Sequence, residues 1–234
     1  TNNLGVAMVT TGPGGTNSLT GVAGAWLDST PCLFISGQVK RSDLAGDIGV
    51  RQLGVQELDI VSVVRPITKF AVTIMEPNLV RYYLEKAIYL AKTGRPGPVW
   101  IDVPLDVQSS SIDLENIEGF EPSDISMPID SKALENRVTE TIELFNNAKR
   151  PVILAGNGIR LSGAESEFLE MVELLEIPVL TTRLGVDLLP SSHQLHFGIP
   201  GSIASRSANF MLQNSDFLLI LGARLDMALI AYAP

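Results

Sequence analysis

The residues of this chain that could do chemistry gather at turns. The richest stretch is Thr11-Gly12-Pro13-Gly14-Gly15-Thr16-Asn17. Its glycines let backbone approach a ligand closely, and its hydroxyl and amide groups can exchange hydrogen bonds with one. The spacing is not G-x-G-x-x-G, and Pro13 removes an N–H that a phosphate cradle would use, so the stretch taken alone is equally a tight turn without a ligand. Gln56-Glu57 is a polar pair beside apolar Val55 and Leu58, and a buried glutamine there would need partners, which suggests a cleft. Arg95, in Gly94-Arg95-Pro96-Gly97, is a cation held between prolines and glycines that could meet a phosphate or stack on a domain seam. Asp102 and Asp106 lie beyond a strand end, where acid–base work is one reading and loop capping the plainer one. His193 and His196, with the single Cys32, make no metal set and read as surface histidines. Later turns contribute Gly156-Asn157-Gly158 and Gly222-Ala223-Arg224.

The elements that would position these groups alternate between strand and helix. Val6 to Val9 is an apolar, β-prone run leading into the first glycine turn, after which Thr16 or Asn17 can cap a helix rich in small residues (Gly21, Ala23, Gly24, Ala25). Pro31–Gly37 reads as a buried strand, 38–54 as a polar loop with solvated charges (Arg41, Asp43, Asp47, Arg51), 55–64 as a short helix and 67–74 as a strand. Helical spacing of Leu79, Tyr82, Tyr83, Ala87 and Leu90 marks a helix over 78–92, and Pro98–Val103 is another buried strand. Acidic, serine- and proline-bearing 105–130 reads as an exposed linker. Alternation then restarts: a helix capped by Ser131, a strand at 151–155, a helix at 165–175, strands at 178–182 and 216–221, and a short helix at 204–213. Strand, glycine turn and helix in repetition predict two doubly wound α/β domains with parallel sheets, and such folds place ligands at the carboxyl ends of strands.

Composition narrows the function classes. The 234 residues are 45% apolar, enough for a substantial core, and 17 Lys plus Arg against 26 Asp plus Glu leave a formal charge of −9. That balance argues against nucleic acid and against an anionic membrane surface. No apolar run approaches a membrane span, no leader peptide is recognisable, and one cysteine fits a reducing, cytoplasmic compartment. The abrupt start at Thr1-Asn2-Asn3 and the stop at Ala233-Pro234 suggest a piece of a longer protein.

Three ordered segments carry the reading further. TTGPGGTN (10–17), SGQV (36–39) and TGRPGPVWIDVP (93–104) together closely resemble the acetolactate synthase–like family of thiamine diphosphate enzymes. The resemblance spans essentially the whole chain. It implies a partial pyrimidine-binding domain over 1–107, a linker over 108–130, and a partial central, FAD- or nucleotide-binding-like domain over 131–234. It implies that Thr11, Gly12, Pro13, Gly14 and Asn17 lie against the aminopyrimidine of thiamine diphosphate across a subunit interface, so that the protein is a homo-oligomer, dimer or tetramer. Gln56 falls on the glutamine of the family's Phe-Gln-Glu motif near the reacting centre. Arg95 falls on an arginine that touches FAD in acetolactate synthases, and Gly156, Gly158, Gly222, Ala223, Arg224 and Asp226 fall on the central-domain cofactor loops.

The expected chemistry is that of a lyase or carboligase (a transferase in acetolactate synthases) acting on a small 2-oxo acid. The activating glutamate is expected before Thr1, and the diphosphate and Mg²⁺ motif in a third domain, so this chain by itself would be inactive. Departures from the family pattern are Val55 for Phe, Lys40 for Pro, Leu105 for Lys, Ile199-Pro200-Gly201 for Met-His-Gly and Asp226-Met227-Ala228 for Asp-Asp-Arg. The missing cation at Ala228 and the missing N–H of Pro200 point to a protein that purifies without stoichiometric FAD, although the glycine turns and Arg224 keep FAD open. Two other readings stand beside this one: a nucleotide-binding α/β module without thiamine chemistry, and a catalytically silent structural or interaction fragment.

Overall fold

The computed structural model describes residues 3–115, 117–124, 130–230 and 232; the linker reading at 116 and 125–129 and the readings of the chain ends lie outside them. The chain forms two compact units, Thr1–Met127 and Pro128–Pro234.

In the first unit, β1 (Gly5–Val9), β2 (Cys32–Gln38), β3 (Phe70–Thr73) and β4 (Pro98–Pro104) build one parallel sheet in the order β1-β2-β4-β3. Register aligns Gly5, Cys32 and Pro98 at one end and Val9, Ser36, Asp102 and Thr73 at the other. Side chains alternate across the strands, so each face buries its own core. Leu33, Val99 and Ile101 pack under α4 (Val80–Lys92), whose Ala87 and Ala91 are fully buried. Phe34 and Trp100, stacked with centroids 5.3 Å apart, pack with Val22 of α2 (Leu19–Asp28) and with Ile60, Val61 and Val64 of α3 (Ile60–Val64). Helices on both faces of a parallel sheet make the unit doubly wound, as expected. β1 is an edge strand of this sheet, with Val6 and Met8 exposed.

The second unit repeats the plan with β5 (Pro151–Ala155), β6 (Val179–Thr181) and β7 (Phe217–Leu221) in the order β6-β5-β7, all parallel. Ile153 and Val179 pack with Phe168 and Val172 of α8 (Glu165–Leu175), while Val152, Leu154 and Leu180 pack with Ala208 of α9 (Arg206–Asn214).

Three local expectations change. The first glycine turn winds directly into α1 (Pro13–Asn17): Pro13 stands at the start with Gly12 as N-cap, so Thr16 and Asn17 lie within the helix and cap nothing. Proline suits that place because a first-turn N–H has no intrahelical acceptor. α6 (Ser131–Asn147) is capped by Asp130, whose carboxylate accepts from Ala133 N at 3.0 Å, rather than by Ser131. The segment expected as an exposed linker holds α5 (Leu105–Gln108), with Val107 in the core. Farther on, Phe120 is buried against Tyr82 and Tyr89, and its N–H donates to Glu85 Oε2 at 2.8 Å. An aromatic side chain and one charge-assisted hydrogen bond therefore fasten this stretch to α4. The remaining short helix is α7 (Gly158–Leu161).

Candidate functional site

The carboxyl ends of β1, β2 and β4 bring together segments distant in sequence. After β1 the chain turns at Gly12 with φ of +57°, a conformation that favours glycine. A Cβ there would come within 2.2 Å of the Gln56 carbonyl oxygen. Gln56 itself has φ of +59°, left-handed backbone that costs a non-glycine residue about 1–2 kcal/mol. Two turns are thus pressed together backbone to backbone, and one holds a residue in a strained state. Gln56 is exposed, and so is Asn17. Two amide side chains therefore stand in solvent on the two abutting segments.

Thr11 is held from behind. Its hydroxyl donates to Gln38 Oε1 at 2.9 Å, with the Gln56 carbonyl 3.4 Å away. Gln38 is buried at the end of β2; its Nε2 donates to Leu58 O at 2.9 Å and to Asp102 Oδ2 at 3.0 Å, and its Oε1 also accepts from Val39 N at 2.9 Å. Asp102 is not beyond the strand end but within β4, 1% exposed. Ser36 Oγ donates to its Oδ1 and Thr73 Oγ1 to its Oδ2 at 3.3 Å, while the indole N–H of Trp100 donates to Ser36 Oγ at 2.8 Å. Burial pushes the Asp102 carboxyl above its usual range; the Ser36, Gln38 and Thr73 donors work against that, and the charge of Asp59 adds to it.

The long loop before Gln56 is also tied down. Glu57 accepts from the N–H groups of Ala45 (2.5 Å), Leu53 (2.8 Å) and Gly54 (3.2 Å). Burial opposes its charge, but those three donors outweigh burial and the carboxyl lies below its usual range. Arg41, expected as a solvated charge, instead donates to Asp106 from Nε at 2.7 Å and from backbone N at 3.0 Å, and this holds the Asp106 carboxyl low.

Arg95 is not part of this cluster. It precedes β4, at the amino ends of the strands, whereas Thr11 follows β1 at the carboxyl ends. Its Nε donates to Ser29 Oγ at 2.7 Å.

In the second unit, Gly156, Gly158, Gly222 and Ala223 do come together, but against one another. Gly156 N donates to Leu221 O at 2.8 Å and Gly158 N to Gly222 O at 2.9 Å. A Cβ on Gly156 would lie 2.4 Å from Gly222 O, and one on Gly158 would lie 2.6 Å from Gly222 Cα. Arg224 Nη2 lies 3.5 Å from Asp226 Oδ2, and Asp226 Oδ1 accepts from Leu229 N at 2.9 Å, so the aspartate caps a turn. A cavity of about 380 Å³ beside this pair of turns is mostly apolar, lined by Ile159, Phe168, Met171 and Leu221 with Glu167 among its walls. The two histidines are anchored rather than loose on the surface: His196 Nε2 lies 3.1 Å from Thr181 Oγ1, and His193 Nε2 lies 3.0 Å from Glu173 Oε1. Among the described residues no group of three His, Cys, Asp or Glu could hold a metal ion, and no helix is long and apolar enough to cross a membrane.

Reasoning from residue types missed Ser36, Gln38 and Thr73 as neighbours of the turn. No residue type or spacing marked them, because the parallel register of 36 with 102, which puts a serine, an aspartate and a glutamine at one end of adjacent strands, is set by tertiary packing.

Comparison with known proteins adds two domain matches. Residues 1–63 match the family described as "Thiamine pyrophosphate enzyme, N-terminal TPP binding domain", and residues 138–233 match "Thiamine pyrophosphate enzyme, central domain". The acetolactate synthase large subunit of Lactococcus lactis is 41% identical over 226 residues, covering 95% of this chain and 37% of that protein. The acetolactate synthase large subunit of Corynebacterium glutamicum is 37% identical over 231 residues, covering 97% and 35%. Acetolactate synthase isozyme 3 large subunit of Escherichia coli is 32% identical over 226 residues, covering 97% and 38%. The chain thus spans little more than a third of the length of these relatives.

Proposed function

The chain belongs to the thiamine pyrophosphate enzymes, and on that basis we propose that its Thr11–Asn17 turn and Gln56 form one wall of a thiamine diphosphate site in an acetolactate synthase–like lyase or carboligase acting on a 2-oxo acid. The observation that carries the reading is the abutment of Gly12 on Gln56, which sets exposed Asn17 and exposed Gln56 on adjoining segments at the carboxyl ends of the sheet. Amide groups both donate and accept, which suits the ring nitrogens and amino group of an aminopyrimidine. Thiamine diphosphate would supply the stabilised carbanion chemistry; this chain's residues would orient the ring and exclude water from one side. Residues 1–107 are read as part of the pyrimidine-binding domain, 108–130 as the connection and 131–234 as part of the central domain. The diphosphate and Mg²⁺ are assigned in this proposal to chain outside these residues. A second subunit would complete the cleft, and the cytoplasm is the compartment proposed.

The donor set does not suit FAD. The N–H groups of Gly156 and Gly158 are taken up by Leu221 and Gly222 carbonyls, Glu167 stands in the wall of the neighbouring cavity, and Arg95 is held by Ser29. We therefore propose a protein that purifies without stoichiometric flavin, checked by the absorption spectrum of the natively purified full-length protein; one flavin equivalent per subunit overturns it.

The thiamine reading is tested by titrating thiamine diphosphate, with Mg²⁺ present, into the full-length protein carrying Asn17→Ala and Gln56→Ala. Two lost hydrogen bonds are expected to weaken binding about tenfold or more. Binding equal to the parent sinks the assignment.

A further inference from the structure

The three segments that carry the family resemblance meet in the fold through side chains. TTGPGG supplies Thr11, SGQV supplies Ser36 and Gln38, and WIDVP supplies Trp100 and Asp102; one hydrogen-bonded chain runs Trp100–Ser36–Asp102–Gln38–Thr11. Its middle is buried and none of its side-chain polar atoms lacks a partner.

Gln38 is the hub. Its amide can make four hydrogen bonds and makes four: two as donor, to Leu58 O and Asp102 Oδ2, and two as acceptor, from Thr11 Oγ1 and Val39 N. The orientation is forced, since the flipped amide would set NH₂ against the Val39 N–H and its oxygen against both a carbonyl and a carboxylate. No other side chain of this length serves. Glutamate has no donor for Leu58 O and would add a second carboxyl beside Asp102, and a hydrocarbon would remove all four bonds, leaving Asp102 Oδ2 only Thr73 and the Thr11 hydroxyl only the Gln56 carbonyl.

The partners are not equivalent in position. Thr11 begins the turn that carries Asn17, and Leu58 follows the left-handed Gln56 and leads into α3. Asp102 is embedded in the sheet, braced by Ser36 and Thr73 from both neighbouring strands. The amide therefore ties two exposed segments to each other and both of them to a rigid strand.

We infer that Gln38, anchored on Asp102, is a positioning residue that holds the Thr11–Asn17 turn and the Gln56–Leu58 segment at one fixed spacing, and so sets how tightly that pair grips an aminopyrimidine ring. The inference rests on the thiamine reading above. Gln38 lies behind the turn and touches no ligand on this account, so its effect must pass through Thr11 and Leu58. That distinguishes it from Asn17 and Gln56. Two residues acting on one contact give losses that do not multiply, whereas independent residues give losses that do.

The test uses the full-length protein with Mg²⁺ and thiamine diphosphate, measuring affinity by calorimetry for Gln38→Ala, Asn17→Ala and the double variant. Each single change is expected to weaken binding about tenfold, and the double to fall well short of about a hundredfold. A second readout needs no cofactor: in Gln38→Ala, amide hydrogen exchange of residues 12–17 and 56–60 should quicken while β5 keeps the parent rate. If Gln38→Ala does not fold, Gln38→Met retains the volume without the hydrogen bonds and carries the same expectations. A weakened Asn17→Ala beside a Gln38 variant that binds and exchanges like the parent overturns the positioning role alone, as does a double variant whose losses multiply. A silent Asn17→Ala overturns the cofactor reading and, with it, this one.

Discussion

The turn after β1 and the turn after β5 share one plan, a parallel strand running through glycines into a short helix, yet they are held in opposite ways. After β5, glycines are required because Gly156 and Gly158 lie against the backbone of Gly222 and Ala223, and none of the three glycines has room for a Cβ. The backbone groups satisfy one another and the turn is closed. After β1, Gly12 abuts Gln56 at one point, and the rest of the restraint comes from Thr11, Gln38 and a buried carboxylate behind them. The polar side chains Asn17 and Gln56 are left facing solvent. A glycine-rich turn is therefore no ligand site in itself. On the reading proposed above, the turn after β1 differs in having its restraint on the far side, so that the near side keeps the exposed amides of Asn17 and Gln56.

That contrast can be broken at several points. The largest effect is expected from Gly156→Ala, because the new Cβ would meet backbone atoms at 2.4–2.7 Å that cannot rotate away. Overpacking of this kind costs about 3 kcal/mol, and the melting transition of the second unit should fall while that of the first is unchanged. If both units melt as in the parent, the closed-turn account is wrong.

Asp102→Asn comes next. It replaces an acceptor held by three donors with a group that must donate to one of them, at a cost of about 2 kcal/mol to the first unit. It also changes the pH dependence. The folded-state pKa of Asp102 is raised, so the folded chain binds a proton more readily than the unfolded one; the associated stability is present below the usual carboxylate pKa and is lost as pH rises through the folded value. Removing that group should make the first unit lose stability more steeply on acidification from pH 7 to 4 than the parent does. Asp216, held low by the N–H groups of Arg150 and Lys149, titrates in the opposite sense, giving stability that disappears as pH falls. Parallel slopes for parent and variant would remove Asp102 from the account.

Gly12→Ala sharpens the comparison from the ligand side. Strain at φ of +57° costs about 1–2 kcal/mol, and the Cβ must push the Gln56 carbonyl outward. Thiamine diphosphate affinity of the full-length protein should drop by more than thermal stability implies, whereas Gly156→Ala should do the reverse. The smallest effect is at a cap: Asp130→Ala should lower stability by about 1 kcal/mol through α6, and Ser131→Ala by much less, as read from denaturant midpoints.

Much of this architecture was legible without coordinates. Buried strands such as Pro98–Val103 stand out because both faces of a covered parallel sheet demand apolar side chains, and α4 shows its buried face at helical spacing. These signals are local, carried by residues within a few positions of one another. Helix starts were harder. Gly12 and Asp130, rather than Thr16 or Asn17 and Ser131, are the N-caps of α1 and α6, since several neighbouring residues had cap chemistry and only backbone geometry selects among them.

Two α/β units, the glycine turns at strand ends and the family, through its ordered segments, are readable from residue order alone. Tertiary structure decided which polar groups meet. Thr11 and Gln38 are 27 residues apart, and Gln38 and Asp102 are 64 apart, so no periodicity links them. Parallel pairing of β2 with β4 brings them within hydrogen-bond reach, and the same pairing carries Arg95 to the other end of the sheet. Strand register is a long-range choice made by packing both faces of the sheet at once, which is why the identity of a polar residue foretold its chemistry but not its partners.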